Sequence, residues 1–197
     1  GKTVAWVGDG NNVATSWTIN GNNAGSFLPG IAPVGGFSNI ENVVGGSAVD
    51  TFTFTNSGRL DGAIDGGAGL DVLVGDADGV QITVTAGLSD SGVILEQDGA
   101  TIKVANGFSS VENLTGAGAA DVFVINGTLG GSVDAGGGND SISFANSGSV
   151  AGVVNGGFGF DILAGDDNAN RITAPDMICF FMDHLRTAER RIPYGTD

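Results

Sequence analysis

Basic residues, cysteine and histidine are nearly absent from the sequence. The chain has 7 lysines and arginines against 22 aspartates and glutamates, which gives a formal net charge of −15. A surface of this sign repels nucleic acids and anionic lipid headgroups, so we expect no nucleic-acid partner. The only cysteine, Cys179, excludes an internal disulfide, and no set of cysteines and histidines has the spacing of a zinc site.

Long hydrophobic runs and catalytic patterns are also missing. The longest apolar run, 177–182, is far shorter than the ~20 residues that cross a bilayer, so we expect no membrane span. The only histidine is His184, and no serine has a base nearby in the sequence. We therefore expect a protein without catalytic activity. Its hydrophobic fraction of 41% is enough for a folded core.

Glycine is abundant, with 36 residues, and it occurs within repeated segments. The segment FSNIENVVGG, which starts at Phe37, recurs as FSSVENLTGA from Phe108. The segment TNSGRLDGAIDGGAGLDVLVGD, which starts at Thr55, recurs without a gap as ANSGSVAGVVNGGFGFDILAGD from Ala145. Glu41 and Glu112 occupy the same place in the first pair, which predicts a repeated structural role such as capping a turn.

A finer period is set by glycine-rich turns that each end in an aspartate. Within the two groups that these turns form, the aspartates are 21, 19 and 21 positions apart. A step of about 20 residues, half turn and half strand, is typical of one rung of a parallel β-solenoid. The apolar residue two positions after each aspartate would point into the core. These residues are Phe52, Leu73, Phe123, Ile142 and Leu163.

The sequence thus predicts an all-β fold, a single right-handed parallel β-solenoid over residues 1–173. The repeat is abandoned at Ala174, and the tail 174–197 holds both methionines and the only tyrosine. This tail has helical spacing of apolar residues, which predicts a short C-terminal helix that caps the solenoid. The alternative is an irregular tail that is foreign to the repeat, for example after a change of reading frame.

Two of the turns, Gly66–Val74 and Gly156–Ala164, match the nonapeptide GGxGxDxUx in full, where U is apolar. The chain therefore resembles the RTX, or hemolysin-type, calcium-binding repeats. It also resembles the F-S-x-I/V-E-N-L-x-G strand repeats of very large secreted, adhesin-like bacterial surface proteins. The resemblance implies a β-solenoid, Ca²⁺ as a ligand, and a location outside the cell, secreted or on the bacterial surface.

Calcium suits these turns because it prefers six to eight hard oxygen ligands, which carboxylates and glycine carbonyls supply. Stacked rungs would place Asp50 near Asp71, and Asp140 between Asp121 and Asp161, so a cation would relieve repulsion between like charges. The opposite corners carry little charge, so we expect acidic turns along one edge only. The candidate ligands are Asp50, Asp71, Asp121, Asp140, Asp161, Gly66, Gly136 and Gly156, with Asp71, Asp140 and Asp161 the strongest.

Hydrogen bonding accounts for the aspartates without a metal. Each carboxylate would then accept hydrogen bonds from the backbone amides of its own turn. The sequence leaves both interpretations open.

For function, we expect a structural or adhesive spacer within a large secreted or cell-surface bacterial protein. Its partners would be neighbouring repeats of the same polypeptide and a host-surface or matrix ligand. One alternative is the calcium-binding module of a secreted RTX-type hydrolase or toxin. A second is a β-helical carbohydrate-active enzyme, for which the chain has carboxylates but few basic residues to bind an acidic substrate.

Overall fold

The computed structural model describes residues 1–5, 13–30, 35–55 and 57–165. The regular structure within these ranges consists of nineteen β-strands, and no helix occurs in them. The all-β fold class is therefore confirmed for this part of the chain. The predicted tail, 174–197, lies outside the described residues. Among the described residues, no helix is long and apolar enough to cross a membrane.

The strands are short, and most of them follow a glycine, asparagine or aspartate turn. In chain order they are β1 (Thr3–Ala5), β2 (Thr15–Gly21), β3 (Ala24–Pro29), β4 (Gly35–Ser38), β5 (Asn42–Val44), β6 (Thr51–Phe54), β7 (Ile64–Asp65), β8 (Val72–Val74), β9 (Val80–Val84), β10 (Gly92–Glu96), β11 (Phe108–Ser109), β12 (Asn113–Thr115), β13 (Val122–Ile125), β14 (Thr128–Leu129), β15 (Val133–Asp134), β16 (Ser141–Phe144), β17 (Ser149–Val150), β18 (Val154–Asn155) and β19 (Ile162–Ala164).

Two large sheets contain all but two of these strands. Sheet 1 has nine strands in the order β1-β5-β7-β11-β10-β9-β13-β16-β19. Sheet 2 has eight strands in the order β18-β15-β12-β8-β6-β2-β3-β4, and β14 pairs with β17 in a small third sheet. From β5 to β8 the chain alternates between the two large sheets, so β5 pairs in parallel with β7, and β6 with β8.

The parallel pairs are in register along both sheets. In sheet 2, Phe52 lies opposite Leu73; in sheet 1, Phe123 lies opposite Ile142, and Ile142 lies opposite Leu163. These are the residues that alternation predicted to point inward. All are buried except Leu163, which is partly buried and packs against the core from the last described strand.

The core is one continuous cluster of side chains from both sheets. Burial alternates along β6, β13 and β16, as expected for strands with one face on a core. At one end Trp17 stacks on Phe52, with ring centroids 6.2 Å apart and planes 8° apart. Each large apolar side chain buried in this way contributes about 1.5–3 kcal/mol, so the stacked columns supply the main driving force for folding.

Antiparallel hairpins interrupt the parallel stack, which the repeat pattern did not predict. Strands β2, β3 and β4 form one antiparallel meander, and β9, β10 and β11 form another. Asn23, with φ of 53°, makes the tight turn between β2 and β3. Alternating hydrophobicity is the same for parallel and antiparallel strands, so it could not distinguish the two.

Equivalent strands of the repeat lie in opposite sheets before and after the second meander. The segment that starts at Phe37 places β4 in sheet 2 and β5 in sheet 1, whereas its copy from Phe108 places β11 in sheet 1 and β12 in sheet 2. The strands that follow Asp50 and Asp71 accordingly lie in sheet 2, and those that follow Asp121, Asp140 and Asp161 lie in sheet 1. The acidic turns form two columns, where the sequence predicted one edge.

Two leucines in one turn provide a matched test of the core. Leu73 is 0% exposed and Leu70 is 59% exposed. We expect Leu73→Ala to lower the free energy of unfolding by about 2–5 kcal/mol, because it removes a packed side chain from a column. Leu70→Ala should change it by no more than about 0.5 kcal/mol. Urea titration of both variants makes the comparison, and equal effects would contradict the assigned face of β8.

Candidate site at the glycine–aspartate turns

Each predicted aspartate lies at the last position of its turn, directly before a strand. Asp50, Asp71, Asp121 and Asp140 are at most 1% exposed, and Asp161, in the last described turn, is half-buried. Aspartates are rarely this buried unless their charge is compensated. The partners of these carboxylates therefore decide what the turns do.

In the first column, each carboxylate accepts a hydrogen bond from the backbone of the preceding rung. The N–H of Thr15 donates to Oδ1 of Asp50 at 2.7 Å. The N–H of Asp50 donates to Oδ1 of Asp71 at 2.7 Å. The N–H of Asp71 donates in turn to Oε2 of Glu112, also at 2.7 Å. A glutamate thus extends the column of aspartates by one rung.

The second column repeats this pattern in sheet 1. The N–H of Val80 donates to Oδ1 of Asp121 at 2.7 Å, and the N–H of Asp121 donates to Oδ1 of Asp140 at 2.8 Å. The N–H of Asp140 donates to Oδ1 of Asp161 at 3.0 Å. We call the two chains of bonds the carboxylate ladders. They bring Asp50 next to Asp71, and they place Asp140 between Asp121 and Asp161.

The second carboxylate oxygens fall into two classes. Oδ2 of Asp50 accepts the N–H of Gly46 at 2.5 Å, and Oδ2 of Asp121 accepts the N–H of Ala117 at 2.9 Å. These are bonds within one turn, of the kind that the metal-free interpretation requires. The Oδ2 atoms of Asp71 and Asp140 are buried and have no hydrogen-bond partner among the described residues.

The predicted glycines make room for this arrangement. A Cβ on Gly66 would lie 2.6 Å from Oδ2 of Asp71 and 1.8 Å from the carbonyl oxygen of Ser110. A Cβ on Gly156 would lie 2.5 Å from Oδ2 of Asp161. Gly136 has φ of +93°, where a side chain would be strained. All three glycines are therefore required by the shape of the turn.

Burial and neighbouring charges raise the pKa of three ladder carboxyls, those of Asp71, Asp121 and Asp140. Burial raises the pKa of Asp71 to about 6, against the hydrogen bond from Asp50 N–H, and the negative charges of Asp50, Glu112 and Asp65 add to the rise.

Asp140 shows the same effect in the second column. Burial raises its pKa to about 6, with contributions from the charges of Asp121 and Asp161. Burial also raises the pKa of Asp121, while the amides of Ala117 and Val80 lower it. Carboxyls of this kind favour protonation or a cation more than exposed ones do.

The carboxylates of the ladders contact backbone amides and do not converge on one point. In the described ranges, no group of three or more histidine, cysteine, aspartate or glutamate side chains is arranged to hold a metal ion. The ladder places one carboxylate per rung, with backbone between successive ones. This geometry stabilises the stacking of strands, whether or not a cation binds.

Sequence reasoning missed Glu112 as a member of the first column. The signal was its recurrence with Glu41, which predicted a capping role. Both glutamates do accept an amide directly before a strand: Oε2 of Glu41 accepts the N–H of Lys2 at 2.5 Å, as Oε2 of Glu112 accepts that of Asp71. The asparagine that follows each glutamate acts similarly: Oδ1 of Asn42 accepts the N–H of Ala63, and Oδ1 of Asn113 accepts the N–H of Ser132, both at 3.0 Å.

No family model, no curated protein and no solved structure matches the chain.

The raised pKa values predict how stability depends on pH in the presence of EDTA. The pKa values of Asp71 and Asp140 are raised from 3.8 to about 6 in the folded protein, so the folded state binds more protons than the unfolded state between these values. Their contribution therefore destabilises the fold progressively as pH rises from about 4 to about 6, and it is constant above that. The double variant Asp71→Asn/Asp140→Asn should lack this decline.

Thermal melts across this pH range measure the difference between parent and variant. Asp78→Asn, which changes an exposed aspartate, is the matched control and should keep the profile of the parent. Identical profiles for the parent and the double variant would contradict the assignment.

Proposed function

We propose that the chain is a non-catalytic structural segment, a spacer within a large secreted or cell-surface bacterial protein. Its fold would be a right-handed parallel β-solenoid with rungs of about 20 residues, interrupted by two antiparallel meanders. Its partners would be neighbouring repeats of the same polypeptide, with a host-surface or matrix ligand for the whole protein. The observation that carries this proposal is the in-register stacking of equivalent residues along both sheets.

The carboxylate ladders support a mechanical role. Each ladder bond joins residues 19 or 21 positions apart between successive glycine–aspartate turns, so every such rung is tied to the next by the same contact. Stability in such stacks comes from each unit and its neighbour, and length can grow by adding rungs. A segment with this property is suited to hold other modules apart.

The engagement of the carboxylates also favours a structural role over hydrolysis. A glycosidase needs a pair of carboxyl groups that can reach the substrate. Here four of the five aspartates of the columns are buried, and each Oδ1 accepts an amide of the adjoining rung. The same side chains therefore serve the fold.

Calcium binding is the second part of the proposal. The atoms that favour it are the two partnerless, buried oxygens, Oδ2 of Asp71 and Oδ2 of Asp140. One Ca²⁺ ion in each column would take the partnerless oxygen together with carbonyls of its turn, at Gly66 in the first column and at Gly136 in the second. It would neutralise the neighbouring acids, Asp50 in the first column and Asp121 and Asp161 in the second. The ion would supply charge compensation and no reaction step.

The spacer proposal predicts that a rung can be added. A second copy of residues 141–161, inserted after Asp161, should extend both sheets by one strand and keep cooperative unfolding. Spin labels on Leu70→Cys and Ile162→Cys, in a Cys179→Ser background, should move apart by up to about 4.8 Å, the spacing of adjacent strands. Insertion of the same residues in shuffled order is the control and should destabilise the fold. An unchanged label distance in the native-order insertion would contradict the proposal.

The calcium part has its own test. Compared with EDTA, CaCl₂ at about 100 times its dissociation constant should stabilise the fold by about 2.7 kcal/mol. In a thermal melt this corresponds to a rise of about 2–4 °C per kcal/mol for a domain of this size. MgCl₂ and the Asp71→Asn/Asp140→Asn variant are the controls, and both should give little shift. No shift with CaCl₂ would overturn calcium binding and leave the spacer proposal standing.

A further inference from the structure

A buried lysine lies at the base of the second meander. Lys103 is one of only two lysines in the chain, and it is 0% exposed. Its backbone fixes it between β10 and the segment before β7, because its N–H donates to the carbonyl of Ile94 at 3.1 Å and its carbonyl accepts the N–H of Leu60 at 2.7 Å. The position of the buried lysine is thus fixed by two backbone hydrogen bonds.

Two carboxylates meet this ammonium group. Nζ of Lys103 forms an ion pair with Oδ2 of Asp76, whose side chain is 0% exposed, and it lies 2.9 Å from Oε1 of Glu96. The carbonyl oxygen of Gly58 lies 3.4 Å from Nζ, and the centroid of the Phe54 ring lies 5.5 Å away. An amine, a carboxyl group and a second carboxylate therefore share a pocket with an aromatic wall.

The carboxyl group of Asp76 is held by both of its oxygens. Oδ2 is the ion-pair partner of Nζ of Lys103. The other oxygen, Oδ1, accepts the N–H of Asp78 at 3.1 Å, which fixes the orientation of the carboxyl group. The nitrogen and the carboxyl group are therefore kept in contact in one orientation.

Stability alone gives little reason for this cluster. A buried ion pair is often no more stabilising than apolar residues of similar size, since both charges lose their hydration. Transfer of one proton within the pair would give a neutral amine and a neutral carboxylic acid, the forms in which an amine can attack a carboxyl carbon.

We propose that Lys103 and Asp76 form an intramolecular isopeptide bond, with Glu96 as the proton carrier. Nζ of the neutral lysine attacks Cγ of the protonated aspartic acid, and the electron pair of the C=O bond moves to oxygen. Glu96 takes a proton from the nitrogen and gives it to the hydroxyl group, which leaves as water. The products are one amide and one water molecule, and no oxidant, reductant or cofactor is consumed.

The position of Glu96 suits this role. Its side chain is 27% exposed, so it connects the buried pair to solvent and gives the released water a way out. It lies at the end of β10, in the same meander as Lys103, so the three groups come together only when β8, β9 and β10 have folded. The reaction would therefore follow folding.

The bond would close the chain around the meander. It would join the turn after β8 to the segment after β10, and so enclose both β9 and β10. A crosslink of this kind stabilises a fold by restricting the unfolded chain. It would stabilise the part of sheet 1 in which the hairpin strands β9 and β10 lie between β11 and β13.

Mass spectrometry of the full chain tests the inference. We expect the denatured protein to be lighter than its sequence by the mass of one water molecule. A protease digest should contain a branched peptide in which the segment with Asp76 is joined to the segment with Lys103. Lys103→Arg should restore the full mass, because the guanidinium group stays protonated. Lys2→Arg, which changes the only other lysine, should keep the loss of water.

Two further measurements distinguish the isopeptide bond from loss of water elsewhere in the chain. Glu96→Gln should retain the full mass in a folded protein, whereas Asp78→Ala should react like the parent. Aspartate–glycine sequences such as Asp98-Gly99 can also lose water, by cyclising to a succinimide, but hydroxylamine cleaves that product and leaves an isopeptide intact. A parent protein of full mass, or a loss of water confined to such sites, would overturn the inference. Because the branched peptide is sought in the parent, the test does not depend on the variants folding.

Discussion

A hydrogen bond from the backbone to a carboxylate of the neighbouring turn is the contact on which the stacking of the parallel strands depends. It occurs directly before the strands, where the first N–H would otherwise be buried without a partner. A slip of one residue between Asp50 and Asp71 would break it and would also turn Phe52 out of the core. The ladder and the apolar column therefore specify the same register, one with polar atoms and the other with packing. This is why glycine and aspartate recur together: the glycine leaves space in which the carboxylate can reach the amide.

The same contact gives the stack an electrostatic cost. Each rung adds a buried negative charge above the previous one, and amide dipoles compensate it only in part. The cost is greatest at Asp71 and Asp140, which have carboxylates on both sides and one oxygen without a partner. Protonation and cation binding are two ways to relieve it, and they act on the same atoms. The structure is therefore most responsive to its ionic environment at the centres of the ladders.

Much of the fold could be predicted from the repeat, because stacking turns a sequence period into a spatial one. The spacing of the aspartates and the alternation after them indicated the columns that contain Phe52 and Phe123. The meanders were missed because antiparallel strands such as β9 and β10 alternate in the same way as parallel ones. Lys103 was missed because no repeated pattern contains it. It has no equivalent in the first repeat, and only the tertiary fold brings it to Asp76. Glu112 was assigned a repeated role, but its place in line with Asp71 depends on a register that no local pattern specifies.

The exchange of sheets at the second meander has a consequence for any polypeptide assembled from such units. The unit that contains Phe37 and the unit that contains Phe108 are alike in sequence, yet their equivalent strands lie in opposite sheets. Two successive units are therefore needed before a given side chain returns to an equivalent environment. The true translational repeat would be twice the sequence repeat, and acidic turns would alternate between the two flanks of the molecule.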